Sequence, residues 1–217
     1  MIHGITPQEV FYALILTGYV IIVVYGGRKL YSYVRGKGKS HEVAVYYTRK
    51  YIHVFAGGVI AVLTPFLFTT PLLPFLMALA LTGFLYFMRK TGRLMWWFQV
   101  KENAYEVNFT IAWGVSLIIL WMATGDPNIA VLPGIFIAFG DAVTGVVRNM
   151  LFEKRTKHWA GNIAMATVSV PLGFLYAGSI GAFAGLIASA IEKFEFPPLD
   201  DNILVAISTM IILLLAA

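Results

Sequence analysis

The stretch Ile163–Ile191, IAMATVSVPLGFLYAGSIGAFAGLIASAI, runs for 29 residues without a charge. One continuous helix of that length would extend roughly 44 Å, well beyond a hydrocarbon core of about 30 Å. Two helices need a turn between them, and Ala177-Gly178-Ser179 at the centre offers small, turn-forming residues. How this run is read decides the number of helices and the side of the membrane on which the chain continues.

Other apolar runs surround it, at Val10–Tyr25, Tyr51–Thr70, Leu72–Met88, Val107–Thr124, Asn128–Val147 and Ile203–Ala217. Of the 217 residues, 59% are hydrophobic and 12% charged, with a mean hydropathy of +0.78. A soluble domain carries about 25% charged and about 45–50% apolar residues, and its exposed shell must be largely polar. A soluble enzyme, a nucleic-acid-binding domain and a disordered chain are excluded. So is a transmembrane barrel, whose short segments alternate polar and apolar residues. The absence of cysteine removes disulfides, thiolate metal sites and cysteine nucleophiles. The first apolar run has no basic residues before it, and Arg28 and Lys29 follow it, so it reads as a span and not a signal peptide.

With 163–191 as a hairpin the chain has eight helices, and all 16 lysines and arginines fall on one membrane face. The positive-inside rule makes that face cytoplasmic, with the N-terminus outside. With one helix there are seven, and Lys193 moves across. Either way the expectation is an all-α polytopic membrane protein, residues 1–217 forming one domain. Arg28–Tyr47 reads as a basic cytoplasmic linker, and no nucleic acid is expected as a partner.

Under the hairpin reading, every polar cluster needing explanation faces the same side. Arg49 and Lys50 lie four and three residues before His53, so all three share one helix face. They suit phosphate binding beside a proton acceptor, or a membrane anchor. Asp141 interrupts an apolar run at a cost of about 2.5–3.5 kcal/mol and is a functional candidate by default. Thr144, Gly145 and Arg148 follow it on one face. Asp200-Asp201-Asn202 precedes the last run; such residues cap helices, and adjacent carboxylates are also hard oxygen ligands for Mg²⁺. In the loop 89–106, Trp96-Trp97-Phe98 reads as an interfacial belt on an amphipathic surface helix, with Glu102 and Glu106 solvated. Lys154-Arg155-Thr156-Lys157-His158 suits a polyphosphate or anionic lipid headgroups. No P-loop, GxGxxG or HExxH pattern occurs.

Arg49-Lys50-x-x-His53-x-x-x-Gly57 resembles the Arg-Lys-x-x-His-x-x-x-Gly signature of the dolichol kinase and phytol kinase family. Phe139-Gly140-Asp141 is similar to that family's Gly-Asp motif. Lys157-x-x-x-Gly161-Asn162 falls where the family has Lys-Ser-x-Glu-Gly-Ser, and Glu192 with Asp200-Asp201-Asn202 resembles its late acidic elements. Ala160 and Asn162 depart from the usual Glu and Ser, and Arg148 stands where Gly is common. The resemblance spans residues 49–202. It implies an integral membrane kinase that phosphorylates a long-chain isoprenoid alcohol such as dolichol or another polyprenol, with CTP as donor and a divalent metal. The wider superfamily includes CTP-dependent cytidylyltransferases that make CDP-activated lipids, which is the second reading.

Combined with the residue chemistry, the resemblance gives each residue an expected role. Asp141 and Asp201 are expected to hold Mg²⁺ or activate the hydroxyl, with Asp200 as a further metal ligand and Asn202 supporting at the nucleotide. Arg49, Lys50, Arg148 and Lys157 are expected on phosphate oxygens, with Lys50 also catalytic and His53 moving the alcohol's proton. Gly57, Gly58 and Gly145 are expected to leave room for the isoprenoid tail. A homodimer is among the partner expectations. The membrane is expected to be the plasma membrane for a prokaryotic or archaeal chain, and the endoplasmic reticulum for a eukaryotic one. From other classes, a small transporter or a non-catalytic scaffold would also place basic residues and an acid in apolar helices.

Overall fold

The computed structural model describes residues 4–152, 156–196 and 199–216. The chain is all-α, with seven helices among the described residues. These are α1 Pro7–Gly36, α2 His41–Leu67, α3 Leu72–Lys90, α4 Tyr105–Thr124, α5 Pro127–Phe152, α6 Trp159–Ile191 and α7 Asp201–Leu215. The first six are long and apolar enough to cross a membrane, and α7 is a shorter apolar helix.

Their ends follow local chemistry. Thr6 opens α1 with a capping box to Glu9, Pro7 taking the first helical position. Ser40 caps α2 and Asp200 caps α7, each side chain accepting from the backbone N–H three residues on. Asp126 caps α5 by accepting from Asn128 N–H. Gly125, in the left-handed region at φ 72°, ends α4.

α6 is the hairpin. Ala177 (φ −143°, ψ 22°) and Gly178 (φ 59°, ψ −145°) break the helix into arms spanning 159–176 and 179–191. Gly178 takes a conformation that a side chain would strain. The arms pack so closely that a methyl on Gly173 would strike the Gly181 carbonyl. Lys157 before the first arm reaches Glu192 after the second, Nζ to Oε1, at 3.1 Å. Both ends of α6 therefore lie at the same end of the molecule, as the two-helix reading requires.

Of the six long helices, α5 sits in the centre. Its most apolar window is 78% buried, against 22–44% for the other long helices. Leu132, Ile135, Phe136 and Ile137 are fully enclosed there. This central helix carries Asp141 and Arg148. Two π-helical turns flank the polar region, His53–Gly58 in α2 and Phe136–Gly140 in α5. His53 begins one and Asp141 follows the other, and π-turns commonly re-aim side chains at functional positions.

Two expectations about the loops are corrected. The stretch Arg28–Tyr47 is not a linker: α1 continues to Gly36 and α2 begins at His41, leaving only 37–40 between them. Arg28, Lys29 and Arg35 are helix formers on the last turns of α1, and Lys37 and Lys39 fall in the short connection. Residues 91–104 form turns and irregular chain, with no surface helix. Trp97 and Phe98 are buried there with Met95 and Leu85. Glu106 is not solvated: it is buried at the start of α4, accepting from Arg89 at 2.9 Å and from Gln99 at 2.8 Å. Arg89 also donates to the carbonyls of Val100, Lys101 and Asn103, clasping the loop.

Candidate active site

Residues of α2, α4, α5 and α7, and of the chain flanking α6, converge on one polar cleft, whose free space of about 20 Å³ is the size for a single water or ion. Asp141, Glu192 and Asp201 each point a carboxylate oxygen into it, all within 4.8 Å of one another. Three like charges so close are held only because cations interleave them. Lys50 Nζ donates to Asp141 Oδ2 at 2.5 Å. Arg148 forms a bidentate pair with Glu192, both bonds at 2.7 Å. Lys157 Nζ donates to Asp201 Oδ2 at 2.6 Å and to the Glu192 carbonyl at 2.8 Å.

Small residues bring these long side chains in. A methyl on Gly145 would collide with the Lys50 stem and the Tyr46 ring, and one on Gly161 with the Arg148 guanidinium. Arg148 Nε and Nη2 also donate to the His158 carbonyl and to Asn162 Oδ1, each at 2.9 Å. Asn162 in turn donates to the Ser189 carbonyl at 2.5 Å. This side of the cleft ties the two ends of α6 to α5.

The opposite wall differs. Arg49 is buried, its guanidinium 4.4 Å from the Tyr105 ring centre, and among the described residues its Nη1 has no hydrogen-bond partner. His53 is buried and stacked on Phe109, centroids 4.1 Å apart. Its Nδ1 lies 3.7 Å from Asp141 Oδ2, and among the described residues neither ring nitrogen has a hydrogen-bond partner. Asn202 Oδ1 and Thr156 Oγ1, also at the cleft, are buried and likewise have none among the described residues. Buried polar atoms are almost always satisfied, so several orphans around one small space make the cleft the candidate site.

In the segments beyond the helices, burial opposes charge on Lys157, but Asp201 and Glu192 outweigh it and hold the amine above its ordinary value. Burial, and then the neighbouring Asp201 charge, push Asp200 up to about 6. Asp200 is not among the three clustered carboxylates. Its side chain caps α7 through Ile203 N–H and accepts from Asn202 at 3.2 Å.

The structure thus gathers Arg49, Lys50, His53, Asp141, Arg148, Lys157, Asp201 and Asn202 around one cleft. Glu192 takes the third acidic place that the sequence reading gave to Asp200. The resemblance names it only as one of the late acidic elements, with no role of its own. The glycines do not leave room for a tail. Gly57 is covered by the Phe109 ring, Gly58 by Phe139, and Gly145 by Lys50 and Tyr46. No protein-family model, curated protein or solved structure matches this chain.

Proposed function

We propose that this membrane protein is a metal-dependent phosphotransferase that moves the γ-phosphoryl group of a nucleoside triphosphate, CTP in our reading, to a long-chain isoprenoid alcohol. The observation that carries the reading is the cleft itself: three carboxylates within 4.8 Å, beside a buried arginine and histidine that retain unused polar atoms. Phosphoryl transfer needs little from a protein except positioning and charge stabilisation, and this donor set fits it. Asp141, Glu192 and Asp201 would hold Mg²⁺, a hard cation suited to carboxylate oxygens. When bound, the ion would neutralise charge on the phosphate oxygens.

Arg49 binds the polyphosphate through its unused Nη1, its plane fixed by Tyr105. Lys50 and Lys157 neutralise Asp141 and Asp201 in the ligand-free protein, and turn to phosphate oxygens once the carboxylates are otherwise engaged. Asn202 and Thr156 contribute further polar contacts. The alcohol oxygen attacks the γ-phosphorus as the bond from that phosphorus to the β,γ-bridging oxygen breaks. CDP leaves and the lipid phosphate remains. The hydroxyl proton passes to a ring nitrogen of His53, whose plane is held by stacking on Phe109. Arg148, with its donors already engaged, acts as scaffold by fixing Glu192. The concentration of Lys and Arg at this end supports a cytoplasmic cleft.

The test is a transfer assay on purified protein with Mg²⁺ and a mixed pool of lipid alcohols and phosphatidate, comparing γ-labelled with α-labelled CTP. Label entering lipid only from the γ position is expected. Label from the α position would make the protein a cytidylyltransferase, and none from either would overturn both.

A further inference from the structure

The expected tail position at the glycines is filled, yet an open apolar groove of about 170 Å³ lies between α4 and α7. We infer that this groove holds the tail of a single-chain lipid whose polar head reaches the carboxylate cleft, an inference that rests on the proposed phosphotransferase reading for the chemistry of that head.

The groove begins where the cleft ends. Tyr105 on α4 and Asn202 on α7 line the cleft, and Asn108, one turn further along α4, hydrogen-bonds to Asp200 at the start of α7. Residues spaced by four share a helix face, so Asn202 leads to Ala206 and Met210, and Asn108 to Ala112 and Ser116. Those residues, with Val115 and Ile207, line the groove. Small side chains at 112, 116 and 206 keep the helices from filling the seam, and Ser116 directs its hydroxyl back to the Ala112 carbonyl at 2.7 Å, leaving an apolar surface. Polar head site and apolar channel thus join along one pair of helices, matching an amphiphile in order and polarity. From 203 to 210 the groove is roughly 10 Å long. It grips the first part of a chain and leaves the rest in the bilayer, so affinity should level off with chain length.

The experiment uses the full chain in liposomes with a long-chain alkanol carrying a diazirine midway along its tail. After irradiation, label is expected in peptides 111–116 and 203–210, reduced by excess unlabelled alkanol. Ile207→Trp, at an exposed lip position, should cut that labelling and raise KM for the alcohol about tenfold, equivalent to ~1.4 kcal/mol, with KM for CTP unchanged. Label spread over lipid-facing Leu14, Ile22 and Phe66 without competition would overturn the groove, even in a protein that transfers phosphate. Competed labelling of the groove in a protein without transfer activity would uphold the groove and overturn the phosphotransferase. Should Ile207→Trp fail to fold, the wild-type labelling pattern decides by itself.

Discussion

Arg148 and Arg49 line the same cleft, both buried, yet they are held in opposite ways. Arg148 is held by Glu192, Asn162 and the His158 carbonyl. Arg49 rests on an aromatic ring and keeps a buried Nη1 without a partner among the described residues. A guanidinium satisfied by the fold does structural work. One left short of a partner among the described residues is the group that our proposal gives to the phosphates. The Arg148 side, between α5 and the two ends of α6, is thus tied up by the fold, the Arg49 and His53 side of α2 is less engaged, and Asp141 lies between them.

The largest expected effect is at Asp141. Asp141→Asn should lower transfer by about 10²–10⁴-fold while circular dichroism and gel-filtration behaviour stay those of the wild type; full activity in the folded variant would remove Asp141 from the site. On the Arg148 side, Arg148→Met takes the bidentate partner from Glu192, leaving it Lys157 and Asn162, and should cost about 3–5 kcal/mol, with the Arg148→Met/Glu192→Met pair recovering most of it. Thermal unfolding of the single and double variants measures this, and a single variant as stable as wild type would break the distinction between the two sides. On the Arg49 side, Arg49→Met should raise KM for the nucleotide by the worth of a charged hydrogen bond, about 1.5–3 kcal/mol, and leave the melting temperature near wild type. Equal losses of stability at 49 and 148 would make both arginines structural. Far from either side, Gly178→Ala strains the hairpin turn and should cost about 1–3 kcal/mol with turnover per folded molecule unchanged.

Much of this cleft is legible in the sequence because its members violate local rules. An acid at 141 in an apolar run, and Arg49, Lys50 and His53 on one face of a helix entering the membrane, stand out against what surrounds them. The Ala177-Gly178-Ser179 turn is readable for the same reason, as a break in an otherwise uniform stretch. Glu192 stands out only through the resemblance: by its own chemistry it follows Ile191 as an ordinary loop acid, and its pairing with Arg148, 44 residues away, is invisible in the sequence. Glu106 looks solvated until Arg89, 17 residues earlier, folds over it. The glycines mislead because a missing side chain tells of space and not of its occupant. Here the occupants are Phe109, Phe139 and the Lys50 stem. Helix continuation through 28–36 was obscured by a charge pattern that resembles a linker.

Lys50 and Lys157 already neutralise two of the cleft's carboxylates, so in the proposed reaction a divalent cation and a triphosphate bind together, the cation taking the carboxylates and freeing both lysines. The most direct measurement is the thermal shift of the purified protein with Mg²⁺ alone, CTP with EDTA, and both. Stabilisation well beyond the sum of the separate shifts is predicted, since a ligand that binds only the folded state raises stability by mass action. Additive shifts, or no shift with the two together, would contradict the account.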